Sequence, residues 1–126
     1  MNPITFDGLT KTKFLDEATE KQVVCFGVGA HFKYIFNNLI LPNNLSVKYL
    51  VDTSAEKQGK NLYGYDVFSP DRLLAEERDS VLVLITTLSP YEINDTLEQM
   101  GIFGAYASAL FMEDFMGLTY RYIRLN

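Results

Sequence analysis

Apolar residues along this chain alternate between short unbroken runs and stretches where they recur every three or four positions. Val23-Val24-Cys25-Phe26, entered from Gln22 and stopped by Gly27, is a β-rich run of the kind that fills a strand buried on both faces. Beyond the turn Gly27-Val28-Gly29-Ala30, residues Phe32, Ile35, Phe36, Leu39 and Ile40 fall at helical spacing until Pro42, whose ring cannot continue a helix. After Asn43-Asn44, the segment Ser46-Val47-Lys48-Tyr49-Leu50-Val51 predicts a second strand with Asp52 at its carboxyl end. Together these form a βαβ unit of about thirty residues.

The pattern then repeats. Gly64-Tyr65-Asp66-Val67-Phe68 predicts a short third strand, followed by a helix with Ser69 as cap, Pro70 in its first position and Leu73 and Leu74 on its buried side. Val81-Leu82-Val83-Leu84-Ile85 is the clearest buried strand in the chain. Ser89-Pro90-Tyr91-Glu92 has the spacing of a capping box, in which hydroxyl and carboxylate each satisfy an orphan backbone donor. The helix it opens carries Ile93, Leu97 and Met100 on one side and stops at Gly101. Gly104-Ala105-Tyr106-Ala107 predicts a weaker fifth strand, and residues 11–21 an opening helix.

Strands alternating with helices call for a parallel sheet covered on both faces. The expectation is therefore an α/β protein: one domain over residues 1–126, with three layers around a mostly parallel sheet of four or five strands. Its core spans 22–107, and an aromatic tail occupies 108–126. In that tail Phe111, Met112, Phe115 and Met116 fit a helical stripe, while Leu118, Tyr120 and Tyr122 alternate as in a strand. Such a tail must bury against something: its own domain, a second copy in a homodimer, or a companion enzyme domain.

Composition narrows the function classes. The chain is 48% hydrophobic and 21% charged, which is ordinary globular composition. Its net charge of −5 is unevenly spread: residues 1–60 carry seven Lys against six acids, and residues 61–126 carry four Arg against ten acids. Without a basic stripe, binding to a nucleic-acid backbone is not expected. The single cysteine, Cys25, cannot form an internal disulfide, which fits a reducing compartment. The N-terminus lacks the basic start and apolar stretch of a secretory signal, and no apolar run approaches the roughly 18 residues of a transmembrane segment. A cytoplasmic location is expected.

The candidate chemistry gathers at the first turn. Gly27 allows a tight turn, and the missing side chain at Gly29 lets a phosphate group approach the free N–H groups and positive dipole end of the helix that follows. Asp52, roughly twenty residues on at the end of the second strand, stands where an acid would accept bonds from ribose hydroxyls. The third position of the full glycine fingerprint is Phe32 here, a departure that puts standard dinucleotide placement in question. The expected ligand contacts are Gly27, Val28, Gly29, Ala30, His31, Asp52 and Thr53, joined from the fourth strand's carboxyl edge by Thr86 and Thr87, with Ser89 nearby. The same residues also suit a fold whose glycines serve only the turn and whose Asp52 caps a loop.

No catalytic residue is expected. His31, the only histidine, has no paired acid or nucleophile beside it in sequence. Cys25 lies inside a buried strand, where a thiol behaves as a small hydrophobe. One His and one Cys exclude a structural zinc site, and no clustered carboxylates suggest another metal. A Walker A loop, a GxSxG elbow, a CxxC pair and a Tyr-x-x-x-Lys pair are all absent from the sequence.

The series Val23 to Gly29, Val47 to Asp52, Lys57-Gln58-Gly59-Lys60-Asn61-Leu62-Tyr63-Gly64-Tyr65-Asp66-Val67-Phe68-Ser69-Pro70 and Val81 to Ile85 resembles the small Rossmann-like domains of bacterial surface-sugar enzymes. Such domains precede the left-handed helix of nucleotide-sugar acetyltransferases, open membrane-bound nucleotide-sugar dehydratases, and close certain sugar C-methyltransferases. The resemblance spans about residues 22–104. It implies a nucleotide- or nucleotide-sugar-binding module for sugar and polysaccharide modification, with Gly27, Gly29 and Asp52 on the nucleotide side and a nucleotide sugar or NAD(P) as ligand. The hexapeptide-repeat and methyltransferase portions have no counterpart here, so those activities do not carry over whole. A degenerate Rossmann domain used for interaction or dimerisation, and a fragment of an NAD(P)-dependent enzyme, remain open.

Overall fold

A computed structural model describes residues 8–77 and 79–110. Helix α1 (Gly8–Glu17) leads into β1 (Gln22–Phe26), and α2 (Ala30–Ile35) continues as a wider π-helical turn over Phe36–Ile40. Strand β2 (Val47–Val51) follows, then a hairpin of β3 (Asn61–Leu62) and β4 (Tyr65–Phe68), a 3-10 helix (Pro70–Ala75), β5 (Val81–Ile85), α3 (Pro90–Gln99), β6 (Tyr106–Ala107) and a 3-10 turn (Ser108–Leu110).

The protein is mixed α/β, built on one six-stranded sheet in the order β3-β4-β2-β1-β5-β6. All neighbours run parallel except β3, which pairs antiparallel with β4. Strand β1 lies between β2 and β5, with Cys25 opposite both Leu50 and Leu84. Its residues alternate between two apolar clusters: Val23 and Cys25 pack with Phe14, Phe32, Ile35 and Leu39, whereas Val24 and Phe26 pack with Tyr49, Leu73, Ile85 and Leu97. Both faces are covered, which is why the strand reads as an unbroken apolar run. Burying a Phe or Leu on either face contributes about 1.5–3 kcal/mol.

Several elements depart from their sequence expectations. The opening helix occupies Gly8–Glu17 rather than residues 11–21, because the chain turns at its end, where Thr19 Oγ1 donates to the Asp16 carbonyl at 2.7 Å. The sheet has six strands rather than four or five. The added β3 is two residues long, and Tyr63 (φ 57°) and Gly64 (φ 88°) return it to β4 through a turn with both central residues in the left-handed region. The capping box does not form: Ser89 sits at the head of α3 with no side-chain cap bond. Ser69 likewise heads the 3-10 helix without a side-chain bond, leaving Pro70 to set its start. The expected tail lies outside the described residues beyond Leu110.

Candidate functional site

In a parallel sheet every strand delivers its following loop to the carboxyl edge, so the turns after β1, β2 and β5 meet there. Gly27 leaves β1 at φ 117°, a backbone conformation that side chains rarely adopt. A Cβ built there would lie 2.5 Å from the Thr87 Cγ2 and 3.3 Å from the Thr86 carbonyl oxygen. Gly27 is thus required twice, by its dihedral angle and by the β5 loop pressed against it. Gly29 differs: at φ −117° and ψ −155° its backbone is extended, and a Cβ would meet nothing within 4 Å. Gly29 and Ala30 are both exposed, so solvent reaches the head of α2.

Asp52 is turned onto the glycine turn. Its Oδ2 accepts from the Val28 N–H at 2.8 Å and its Oδ1 from the Ser54 N–H at 2.8 Å. The Lys57 ammonium donates to the Val28 carbonyl at 2.7 Å and stands 4.0 Å from the Asp52 carboxylate. Gln58 Nε2 closes the loop by donating to the Asp52 carbonyl at 2.8 Å. The amide and carbonyl of Val28 are therefore both held by side chains from the β2–β3 loop, while the Val28 side chain is buried in the core. Thr53, between the two anchors, is exposed.

From the other side, Thr86 Oγ1 donates within reach of two carbonyls, Phe26 at 3.0 Å and Gly27 at 2.6 Å. Thr87 Oγ1 is shielded from solvent and makes no hydrogen bond among the described residues. His31 is 5% exposed and faces inward, with Nε2 3.2 Å from the Ser108 hydroxyl. That hydroxyl donates to the Ile85 carbonyl at 2.9 Å, so its proton is committed and His31 must supply the Nε2–H. Burial lowers the imidazole pKa from 6.5 to about 4, leaving the ring neutral at pH 7. His31 thus ties the head of α2 to the end of β6.

The structure brings Gly27, Val28, Asp52, Thr86 and Thr87 together around one turn and leaves Gly29, Ala30 and Thr53 facing solvent. Sequence reasoning missed Lys57, Gln58 and Ser108. Lys57 alone had a readable signal, a cation five residues beyond the acid in a loop that must return toward the sheet. Cys25 lies fully buried in β1, and burial raises its thiol pKa far above the ordinary range.

A second cluster of ionisable groups lies at the opposite, amino edge. Glu76, following the 3-10 helix, accepts two bonds from Lys48 Nζ at 2.8 and 3.0 Å and one from the Tyr49 hydroxyl at 2.9 Å. Arg72 stands 3.6 Å from the same carboxylate and lies over the Tyr49 ring. The Lys48 bond, opposed by burial and helped by Tyr49 and Arg72, holds the Glu76 carboxyl below its ordinary pKa. Among the described residues no group of three or more His, Cys, Asp or Glu could hold a metal ion. Nor, among them, is any helix long and apolar enough to cross a membrane.

Residues 19–105 match a family described as C2185-like, N-terminal. No match was found among curated proteins.

Proposed function

The chain belongs to the C2185-like N-terminal family, and from that premise we propose that it is a Rossmann-like module binding a nucleotide-type ligand at the carboxyl edge of its sheet. The ligand class is a nucleotide sugar or dinucleotide, as the likeness to bacterial surface-sugar enzymes implies. The observation that carries this reading is the strand order. Strand β1 sits with β2 on one side and β5 on the other, and in open α/β sheets ligands gather where the strand order reverses. At that point Gly29 leaves open space over the head of α2, and Lys57 supplies a cation beside it. In this reading Asp52 holds the turn in shape, and an anion draws the Lys57 ammonium away from the Val28 carbonyl.

A second reading, an architectural or interaction domain without a ligand, is favoured by one observation: Asp52 and Lys57 already satisfy both backbone groups of Val28. Thermal unfolding with UDP-N-acetylglucosamine, NAD⁺, S-adenosylmethionine, coenzyme A or inorganic pyrophosphate separates the two, because a ligand that binds only the folded state raises the melting temperature. The expected result is a rise with a uridine nucleotide sugar that Gly29→Leu abolishes without lowering the melting temperature of the free protein. If no compound raises it at millimolar concentration, the ligand reading fails and the second stands. A rise with NAD⁺ alone would favour the remaining alternative, a fragment of an NAD(P)-dependent enzyme.

A further inference from the structure

Strand β6 has little ladder of its own to hold it. It lies at an edge of the sheet and pairs with β5 over two residues, Tyr106 opposite Leu84 and Ala107 opposite Ile85. Pairing of that length is marginal alone. Ala107, Ser108 and Ala109 are nevertheless wholly buried. Side chains complete the attachment: Tyr106 meets the Phe14 ring of α1 edge-on at 5.3 Å, and the Ser108 hydroxyl donates to the Ile85 carbonyl at 2.9 Å.

The same end of β5 carries the glycine turn. Thr86, the residue after Ile85, donates its amide to the Phe26 carbonyl at 2.9 Å, and its hydroxyl stands 2.6 Å from the Gly27 carbonyl. Four residues beyond Gly27 the chain returns, where His31 Nε2 meets the Ser108 hydroxyl at 3.2 Å. Gly27, Thr86, Ile85, Ser108 and His31 therefore close a ring, with hydrogen bonds joining Thr86 to Gly27, Ser108 to Ile85 and His31 to Ser108. Thr86, Ser108 and His31 are all buried. Solvent does not stand ready to replace a lost link, so breaking one strands a buried donor or acceptor. Polar networks in such surroundings strengthen one another, which favours their holding or failing together.

We propose that this ring makes the glycine turn and β6 one conformational unit, in which the edge strand releases when the turn loosens and docks when the turn is tight. Asp52 and Lys57 fix Val28 on the arc between Gly27 and His31, and so act on a strand that lies far from them. Strands β1 and β5 separate β2 from β6, roughly 14 Å at the usual spacing of neighbouring strands. The coupling belongs to the free protein, and stands or falls apart from any ligand. Its rival is the independent fraying of a short edge strand.

Amide hydrogen exchange under native conditions, read peptide by peptide, separates the two. Asp52→Ala removes the acceptor of the Val28 amide. Exchange at residues 27–31 and 104–110 then quickens together, by about tenfold, while β1 and β5 keep their wild-type rates. In Ser108→Ala the ring is already cut, so adding Asp52→Ala changes residues 104–110 by less than about twofold. Where Asp52→Ala also quickens β1 and β5, global unfolding has entered. Lys57→Met, which takes only the donor from the Val28 carbonyl, then decides by the same criterion. Unchanged exchange at residues 104–110 beside a quickened turn overturns the proposal. So does an effect on β6 that persists at full size in the Ser108→Ala background.

Discussion

The two ends of the sheet bury polar groups by different means. At the carboxyl end, the backbone groups of a sharp turn are met by side chains one at a time: the Val28 amide by Asp52, its carbonyl by Lys57, and the Phe26 and Gly27 carbonyls by Thr86. At the amino end, a single carboxylate with 9% of its side chain exposed gathers Lys48, Tyr49 and Arg72. The first arrangement depends on a backbone shape that only one residue type permits. The second depends on charge, and should yield to salt and, through Glu76, to acid.

The sharpest way to break this contrast is at Gly27. Gly27→Ala combines an unfavourable φ with a methyl group driven against Thr87 and the Thr86 backbone, so urea unfolding should register a loss of about 3 kcal/mol. A loss no larger than that at Gly29 would remove the claim that shape governs the carboxyl end. Glu76→Ala should cost on the order of 2 kcal/mol at pH 7, since it leaves the half-buried Tyr49 hydroxyl and Lys48 without their acceptor. Because the folded pKa of Glu76 is depressed, its contribution is present above about pH 4.5 and disappears as pH falls through the lower folded value. The wild-type and Glu76→Ala stabilities should therefore converge in acid, which urea titrations from pH 7 down to 3 would reveal.

His31 sharpens the comparison from the carboxyl side. An unfolded chain takes up this proton near pH 6.5 and the folded chain only near 4, so between those values the unfolded state binds more protons. Stability should decline as pH falls across that window, by up to about 1.4 kcal/mol per pH unit. His31→Gln keeps an N–H donor for Ser108 without a titrating ring, and should flatten the slope at a cost of about 1 kcal/mol at pH 7. An unchanged slope would assign it to carboxylates instead. The smallest effect belongs to Gly29→Ala: with extended backbone and open space, urea unfolding should move by no more than about 0.5 kcal/mol.

The strands were legible because both their faces are buried. Val23 to Phe26 and Val81 to Ile85 are apolar without interruption, and their limits match the structure within a residue. Elements set by tertiary contact were not. The change from α to π winding at Phe36 occurs where that ring meets Tyr63 and Tyr65, residues from a hairpin distant in sequence. Ser89 has capping chemistry, but its backbone (φ −116°, ψ 76°) does not bring the hydroxyl to the helix amides. At the site, residue identity foretold which groups would gather but not whom they would bond. Asp52 lies where an acid was expected, yet it is the turn's own amide that occupies it, a matter of side-chain direction that spacing does not encode.

Cys25 gives the molecule a built-in clock. It is the sole thiol in the chain and is completely enclosed at the centre of the sheet. An alkylating reagent can therefore reach it only when the helical layer of Phe14, Phe32, Ile35 and Leu39 lifts from that face or the sheet itself opens. The rate at which the thiol is consumed under native conditions counts those openings, giving the free energy of exposing this face of the core without any denaturant.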